Sequence, residues 1–183
     1  MRNNLFDVSG KVAIITGGAG VLGRAMAIGL AQAGARIAIL GRSRDAKIAV
    51  AQEISALGGT SISLEADVLR QDQLEEARDE VLHKWGRIDI LLNVAGGNRA
   101  GATIGPDQNF FDLSITDFDA VVDLNLKGTV LPTYIFAKQM AEQKHGSIIN
   151  ISSMTAQQPF TRVVGYGAAK AGVIQLSKYY ANY

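Results

Sequence analysis

The 183-residue sequence has no cysteine and only two histidines, His83 and His145. The missing cysteines exclude disulfide bonds, thiolate metal sites and cysteine nucleophiles, and the distant histidines do not have the spacing of zinc ligands. An excess of charge of one sign is also lacking, because 18 basic and 17 acidic residues give a net charge of +1. We therefore expect no metal, no nucleic-acid partner and no attraction to an anionic membrane.

Long apolar runs are absent too. No run approaches the roughly 18 residues of a membrane-spanning helix, and the N-terminus lacks the apolar segment of a secretory signal, so we expect a cytoplasmic protein. Proline is scarce, with three residues against twenty glycines, whereas apolar residues make up 48% of the chain. This content can form one sizeable core, and without repeats or linkers we predict a single domain over residues 1–183.

Short β-branched apolar runs alternate with longer amphipathic segments. The runs predict strands at residues 11–16, 36–40, 61–65, 88–92 and 147–151. The segments between and after them predict helices at 21–33, 45–57, 71–84, about 115–143 and 166–183. This alternation predicts an α/β fold with a doubly wound parallel sheet in the order 3-2-1-4-5. Such sheets bind ligands at the carboxyl ends of their strands.

A glycine-rich loop joins the first predicted strand and helix. Gly18, Gly20 and Gly23 fit the pattern G-x-G-x-x-G, which lets a backbone approach a pyrophosphate at a helix N-terminus. A tight turn with close helix–strand packing is the structural alternative. No Gly-Lys-Ser/Thr follows, so a nucleoside-triphosphate loop is not favoured.

Basic residues follow the second predicted strand. The residues there are Gly41, Arg42, Ser43 and Arg44, without the acid that usually meets a free ribose 2′-hydroxyl. Two arginines suit a 2′-phosphate, so the sequence favours NADP(H), with NAD(H) as the alternative. The structural alternative is that both arginines are solvent-exposed residues with no ligand.

Six segments, taken in order, carry a family resemblance. They read Thr-Gly-Gly-Ala-Gly-Val-Leu-Gly at 16–23, Ala-Asp-Val at 66–68, Asn-Val-Ala-Gly at 93–96, Asp-Leu-Asn-Leu at 123–126, Ile-Ser-Ser at 151–153 and Tyr-Gly-Ala-Ala-Lys at 166–170. Together they resemble the short-chain dehydrogenase/reductase family over nearly the whole chain. Val21 and Val94 depart from its glycine and second asparagine, and the family's later strands and substrate loop are missing. We therefore expect a chain that is incomplete at its C-terminus.

The resemblance implies two sets of site residues. The cofactor set is Gly17, Gly18, Gly20, Val21, Leu22, Gly23, Arg42, Ser43, Asp67, Val68, Asn93, Ala95 and Gly96, together with Tyr166 and Lys170. The catalytic set is Ser153, Tyr166, Lys170 and Asn125. It implies that Tyr166 exchanges a proton with the substrate, that Lys170 stabilises the phenolate and reaches the nicotinamide ribose, and that Ser153 bonds the substrate oxygen. Asn125 either holds a water that links Lys170 to solvent or only kinks its helix.

The pattern Tyr-x-x-x-Lys occurs twice, so the serine decides between the two copies. Ser153 precedes Tyr166 by thirteen residues, whereas Val121 precedes Tyr134 by the same distance. We therefore expect Tyr166 to be catalytic and Tyr134, with Lys138, to pack on the long helix.

Substrate residues are predicted on two loops. Asn98 and Arg99 follow the fourth strand and Arg162 precedes the last helix; an arginine there can clamp a carboxylate. Residues 95–98, 110–113, 131–133, 152–154 and 161–162 resemble the D-mannonate oxidoreductase (fructuronate reductase) branch, which implies a sugar acid. Other polyol, sugar or 3-oxoacyl carbonyls stay open as substrates. So do a non-catalytic dinucleotide sensor and an inactive truncated paralogue. The family also implies a homo-oligomer, a tetramer or dimer.

Overall fold

A computed structural model of the chain describes residues 6–158 and 162–182. Residues 1–5, Thr161 and Tyr183, which also entered the sequence predictions, lie outside the described residues. Five parallel strands form one sheet in the order β3-β2-β1-β4-β5, which confirms the predicted topology. The strands are β1 (Val12–Thr16), β2 (Arg36–Gly41), β3 (Thr60–Glu65), β4 (Ile90–Asn93) and β5 (Ser147–Asn150).

Six α-helices among the described residues follow or cover these strands. They are α1 (Val21–Gln32), α2 (Arg44–Ala56), α3 (Gln71–Trp85), α4 (Ile115–Val122), α5 (Gly128–Gln143) and α6 (Val164–Tyr180). The predicted long helix over 115–143 is two α-helices separated by one π-helical segment, Asp123–Lys127. This segment contains Asn125, where the resemblance implied a kink. None of the helices in the described part of the chain is both long and apolar enough to cross a membrane.

Alternate residues of the central strands enter two separate cores. Val12 and Ile14 of β1 face the core beneath α3 and α5, whereas Ala13 and Ile15 face the core beneath α1 and α2. All four side chains are fully buried. This explains why the strand reads as one continuous apolar run, since both of its faces are covered by helices. β5 lies at the edge of the sheet, where Ile149 is 49% exposed.

Candidate active site

The buried Thr16 fixes the two loops at the centre of the sheet. Its Oγ1 accepts hydrogen bonds from the N–H groups of Val94 and Ala95, at 3.1 and 3.2 Å. The same hydroxyl donates to the Leu92 carbonyl at 3.4 Å. The ends of β1 and β4 are therefore held together by one side chain, to which the sequence analysis gave no role. A buried polar residue that closes an apolar strand is the signal that would have pointed to it.

The loop after β1 requires glycine at three positions, 17, 18 and 23, and a Cβ on Gly18 would lie 2.9 Å from the Ile15 carbonyl oxygen. Gly17 has φ +63°, and a Cβ there would lie 2.9 Å from the Cα of Ala95. A Cβ on Gly23 would collide with the Gly17 carbonyl oxygen. Gly20 then starts α1 without a side-chain cap, and Val21 at the first position is 90% exposed. Uncapped N–H groups at a helix N-terminus suit a diphosphate, so the loop fits a dinucleotide.

A cleft of about 500 Å³ extends from this loop across the carboxyl ends of the strands. Eight of the predicted cofactor residues line it: Gly17, Gly20, Arg42, Ser43, Asp67, Val68, Ala95 and Gly96. Five further lining residues had not been predicted: Ala19, Gly41, Ala46, Ala66 and Leu124. These residues are small or apolar. Ala19, Ala66 and Leu124 lie inside the segments that carry the family resemblance, but only the folded chain shows that they line the cleft.

The end of β2 is basic and lacks an acid of its own. Arg42 is 77% exposed, and its guanidinium lies 3.9 Å from the carboxylate of Asp67. Two hydrogen bonds fix the position of Asp67. Its Oδ1 accepts from the Leu69 N–H, and its backbone N–H donates to the side-chain oxygen of Gln73. An exposed guanidinium here remains available to an anionic group of a ligand.

Asn93 is buried at the end of β4 and bonds away from the cleft. Its Nδ2 donates to the Thr133 hydroxyl at 2.9 Å and to the Asn150 side chain at 2.8 Å. These bonds tie β4 to α5 and β5. A direct contact of Asn93 with a cofactor stays a prediction, whereas the following Ala95 and Gly96 line the cleft.

Asn125 is fully buried in the π-helical segment and clamps the loop after β4. Its Nδ2 donates to the carbonyls of Gly97 (2.6 Å) and Val121 (2.8 Å), and its Oδ1 accepts from the Gly97 N–H at 3.2 Å. The backbone carbonyl of Asn125 accepts a hydrogen bond from the Thr129 hydroxyl at 3.1 Å. The side chain thus explains both the kink and the path of the loop; its predicted water-holding role stays a prediction.

Lys170 and Tyr166 lie one helical turn apart on α6. Lys170 is 3% exposed, and its Nζ donates to the Ile151 carbonyl at 2.8 Å. The same Nζ lies 5.6 Å from the centre of the Tyr166 ring. Burial lowers the pKa of the Lys170 ammonium. A Cβ on Gly96 would lie 3.4 Å from Lys170 Nζ and 2.6 Å from the Asn125 side-chain oxygen, so both groups meet at the wall of the cleft.

Ser153 lies just beyond β5, at the start of a short 3-10 turn. Its Oγ accepts a hydrogen bond from the Thr155 N–H at 3.2 Å. This turn packs against the first turn of α6, because a Cβ on Gly167 would lie 3.3 Å from the Thr155 carbonyl. Ser153 and Tyr166 are thus brought to the same end of the sheet. Tyr134 is 71% exposed on α5, so the prediction that it packs is wrong.

The three predicted substrate residues differ in how they are engaged. The Asn98 amide donates to Thr103 at 2.7 Å, and Arg99 forms an ion pair with Asp117 at 3.3 Å. Arg162 is exposed, with φ +86°, and its carbonyl accepts from the Ile104 N–H at 2.9 Å. That bond joins the loops after β4 and β5. Among the described residues no acidic side chain pairs with Arg162. Its guanidinium is therefore more available to a ligand than that of Arg99, which is paired with Asp117.

No cluster of three acidic or histidine side chains that could hold a metal occurs among residues 6–158 and 162–182. The geometry is that of a nucleotide cleft with a tyrosine and a buried lysine at one end. The family model described as short chain dehydrogenase matches residues 11–182. The chain belongs to the short-chain dehydrogenase family.

Similar proteins agree with this membership. The chain is 41% identical over 175 residues to UxuB, an uncharacterised oxidoreductase of Bacillus subtilis, with 91% of this chain and 63% of that protein covered. A Haemophilus structure with bound NAD, provisionally named a D-mannonate oxidoreductase, superposes with a TM-score of 0.91 at 36% identity. A metagenomic short-chain oxidoreductase in complex with NADP superposes with a TM-score of 0.86 at 33% identity.

The chain spans only part of the length of these proteins. The alignment covers 97% of this chain and 67% of the Haemophilus chain, and 96% of this chain and 77% of the metagenomic one. The alignment with the Bacillus protein covers 63% of that protein. The chain therefore spans roughly two thirds of the length of these relatives.

Proposed function

We propose that the chain carries the cofactor cleft and catalytic groups of an NAD(P)-dependent oxidoreductase that interconverts an alcohol and a ketone on a sugar acid such as D-mannonate or D-fructuronate. The observation that supports this best is the buried ammonium of Lys170, 5.6 Å from the Tyr166 ring and next to Gly96 of the cofactor cleft. A nicotinamide supplies or accepts the hydride when bound.

The protein's own groups manage the proton. Tyr166 gives its hydroxyl proton to the substrate oxygen in reduction and takes a proton in oxidation. Lys170 stabilises the phenolate by its positive charge, which acts strongly in a site with little water. Ser153 bonds the same substrate oxygen and orients it. Asn125 holds the loop that carries Gly96 in place, through the backbone of Gly97.

We propose NADP(H) as the preferred cofactor, with NAD(H) as the alternative. The exposed guanidinium of Arg42 at the end of β2, and the lack of an acid at residues 41–44, support a 2′-phosphate. Among similar structures, one holds NAD and another NADP, so the family alone does not decide the preference.

We propose that Arg162 binds the carboxylate of the sugar acid. Arg99 is already paired with Asp117, whereas Arg162 has no acidic partner among the described residues. An Arg162→Asn variant tolerates the positive φ and removes the charge. We expect about a tenfold or larger rise in KM for hexonates and little change for neutral polyols. An equal effect on both substrate classes contradicts the carboxylate role.

Assembly as a homo-oligomer, a tetramer or dimer, is also proposed. The exposed Tyr134 on α5 supports a contact through this helix, as the family resemblance implies. Light scattering coupled to gel filtration tests it, and a monomeric mass contradicts it.

The oxidoreductase proposal is tested by Tyr166→Phe, with Tyr134→Phe as the matched control. We expect turnover to fall by about 10²–10⁴-fold in the first variant, because the proton donor is lost, and to stay unchanged in the second. The dissociation constant of the cofactor should change little in either variant. Normal cofactor binding with undiminished turnover of Tyr166→Phe excludes this mechanism. Binding without turnover of any hexonate, keto-hexonate or polyol by the wild type favours a sensor.

A further inference from the structure

Lys47 is a buried cation behind the end of the cofactor cleft. It lies in the first turn of α2, is 2% exposed, and has one of the largest fully buried side chains in the protein. Its Nζ donates to the carbonyl of Gly41 at 2.6 Å, and that carbonyl also accepts from the Ala66 N–H at 3.3 Å. Both Gly41 and the neighbouring Ala46 line the cleft. The ammonium is therefore separated from the cleft by the last residue of β2.

The ammonium is poorly compensated within the chain. In the described part of the chain no carboxylate lies within 4.0 Å of it, and the Gly41 carbonyl is the hydrogen-bond acceptor that it reaches. Burial lowers its pKa; the Glu65 carboxylate opposes this shift and Arg44 adds to it. A buried charge without a close partner is costly to folding, and such groups beside clefts often serve a bound ligand.

An anion at Gly41, Arg42 and Ser43 would supply the missing partner. Lys47 approaches this corner from behind the strand, while the exposed Arg42 approaches from solvent. The positive field of a buried ammonium is screened less than that of an exposed one, so it acts on a group a few ångströms away across the backbone. The field adds little to the binding energy of a neutral 2′-hydroxyl, whereas it adds much to that of a charged 2′-phosphate.

We propose that Lys47 is a specificity residue that makes the cleft select a dinucleotide with a 2′-phosphate on its adenosine ribose. It acts without touching the phosphate, by its charge and by fixing the Gly41 carbonyl away from the cleft. This inference rests on the proposed function, because it takes the end of β2 as the adenosine subsite. It goes further by assigning part of the cofactor preference to a side chain outside the cleft wall.

Binding of nucleotide fragments by calorimetry tests this without turnover. The probes are 2′,5′-ADP and 5′-AMP, which differ by the 2′-phosphate. Lys47→Met removes the charge at similar length, and Lys47→Gln removes it but keeps a donor for Gly41. Lys84→Met, on the exposed end of α3, removes one charge from the same chain as a control. Circular dichroism identifies any variant that fails to fold.

We expect the dissociation constant of 2′,5′-ADP to rise about tenfold in both Lys47 variants, which corresponds to the loss of one partly screened charge. That of 5′-AMP should stay within about twofold, as should both constants in Lys84→Met. Equal weakening of both fragments means that Lys47 only supports the fold, and it overturns the inference. The inference is also overturned if the wild type binds dinucleotides but binds 2′,5′-ADP no more tightly than 5′-AMP. That result leaves the oxidoreductase proposal intact. A wild type that binds neither NADP nor NAD overturns both.

Discussion

The side-chain amide of Asn125 bonds both backbone groups of Gly97, 28 residues earlier in the chain. Its Nδ2 donates to the Gly97 carbonyl and its Oδ1 accepts from the Gly97 N–H. The amide therefore replaces the pairing that a neighbouring strand would provide, at a point where the chain has left β4. Because Gly96 precedes this clamp and a Cβ added there would lie 3.4 Å from Lys170 Nζ, the clamp connects the helix break to the proposed catalytic lysine.

An Asn125→Asp variant should lose this clamp with no change of size. A carboxylate cannot donate to the carbonyls of Gly97 and Val121, and its charge would be buried beside them. We expect the free energy of unfolding to fall by about 3 kcal/mol in urea titrations, together with a loss of turnover. Asn182→Asp, which removes an exposed amide bond to the Lys178 carbonyl, should change stability by no more than about 0.5 kcal/mol. Equal effects of the two variants would refute the clamp.

Gly96→Ala tests how closely Asn125 and Lys170, two proposed catalytic residues, pack against the cleft wall. The added methyl would lie 2.6 Å from the Asn125 side-chain oxygen and 3.4 Å from Lys170 Nζ, so one or both must move. We expect kcat to fall by about a hundredfold, because small displacements of reacting groups cost that much. Gly29→Ala on α1, where an added Cβ meets no atom within 4 Å, serves as the control and should keep full activity. An unchanged kcat in Gly96→Ala would contradict this prediction, because it would mean that Asn125 and Lys170 can move aside without loss of activity.

The strands and their order could be predicted from the sequence because their signals are local. β1 and β2 are short β-branched runs between glycines, and parallel crossovers leave few ways to arrange five strands. The nucleotide loop was predictable for the same reason, since Gly17 is required by its own positive φ and Gly23 by the Gly17 carbonyl, which is close in the chain.

Local sequence signals could not predict the break in the long helix or the exposure of Tyr134 on α5. The π-helical segment depends on bonds from Asn125 to Gly97, which adjoin only in the folded chain. Tyr134 was expected to pack because Val121, not a serine, stands thirteen residues before it, yet the described part of the chain leaves its ring 71% exposed. The burial of Lys47 was equally hidden, because a lysine in a first helical turn is usually solvated.

Arg42→Ala should change cofactor selectivity more than affinity in general. Loss of its guanidinium removes a direct partner for a 2′-phosphate, so we expect the dissociation constant of NADP to rise about tenfold and that of NAD to stay within about twofold. Arg36→Ala, at the opposite end of β2 and also exposed, is the control. Calorimetric titration with both cofactors measures the ratio. A ratio equal to that of the wild type contradicts the role of Arg42.

Asp89 predicts how stability depends on pH. It is 1% exposed and precedes β4 at the amino ends of the strands, opposite the cleft, where Arg87 forms a two-bond ion pair with it and the Val12 N–H donates at 2.9 Å. Burial alone would raise the pKa of this carboxyl, but the bonds from Arg87 and Val12 and the charge of Lys11 hold it below its ordinary value. His145 and Lys11 approach the same carboxylate, each at 3.7 Å.

Because the folded-state pKa of Asp89 is lowered, its contribution is present above the pKa of the unfolded chain. It is lost as the pH falls through the folded value, a range that begins below about pH 5. We expect Asp89→Asn to lose about 1–3 kcal/mol of unfolding free energy at neutral pH, since Arg87 loses its charged partner. The difference from the wild type should shrink as the pH falls from about 5 toward about 2. Asp79→Asn, which breaks the exposed pair with Arg78, should cost less than about 1 kcal/mol throughout. A difference for Asp89→Asn that stays constant from about pH 5 down to about pH 2 means that the ion pair does not govern acid stability.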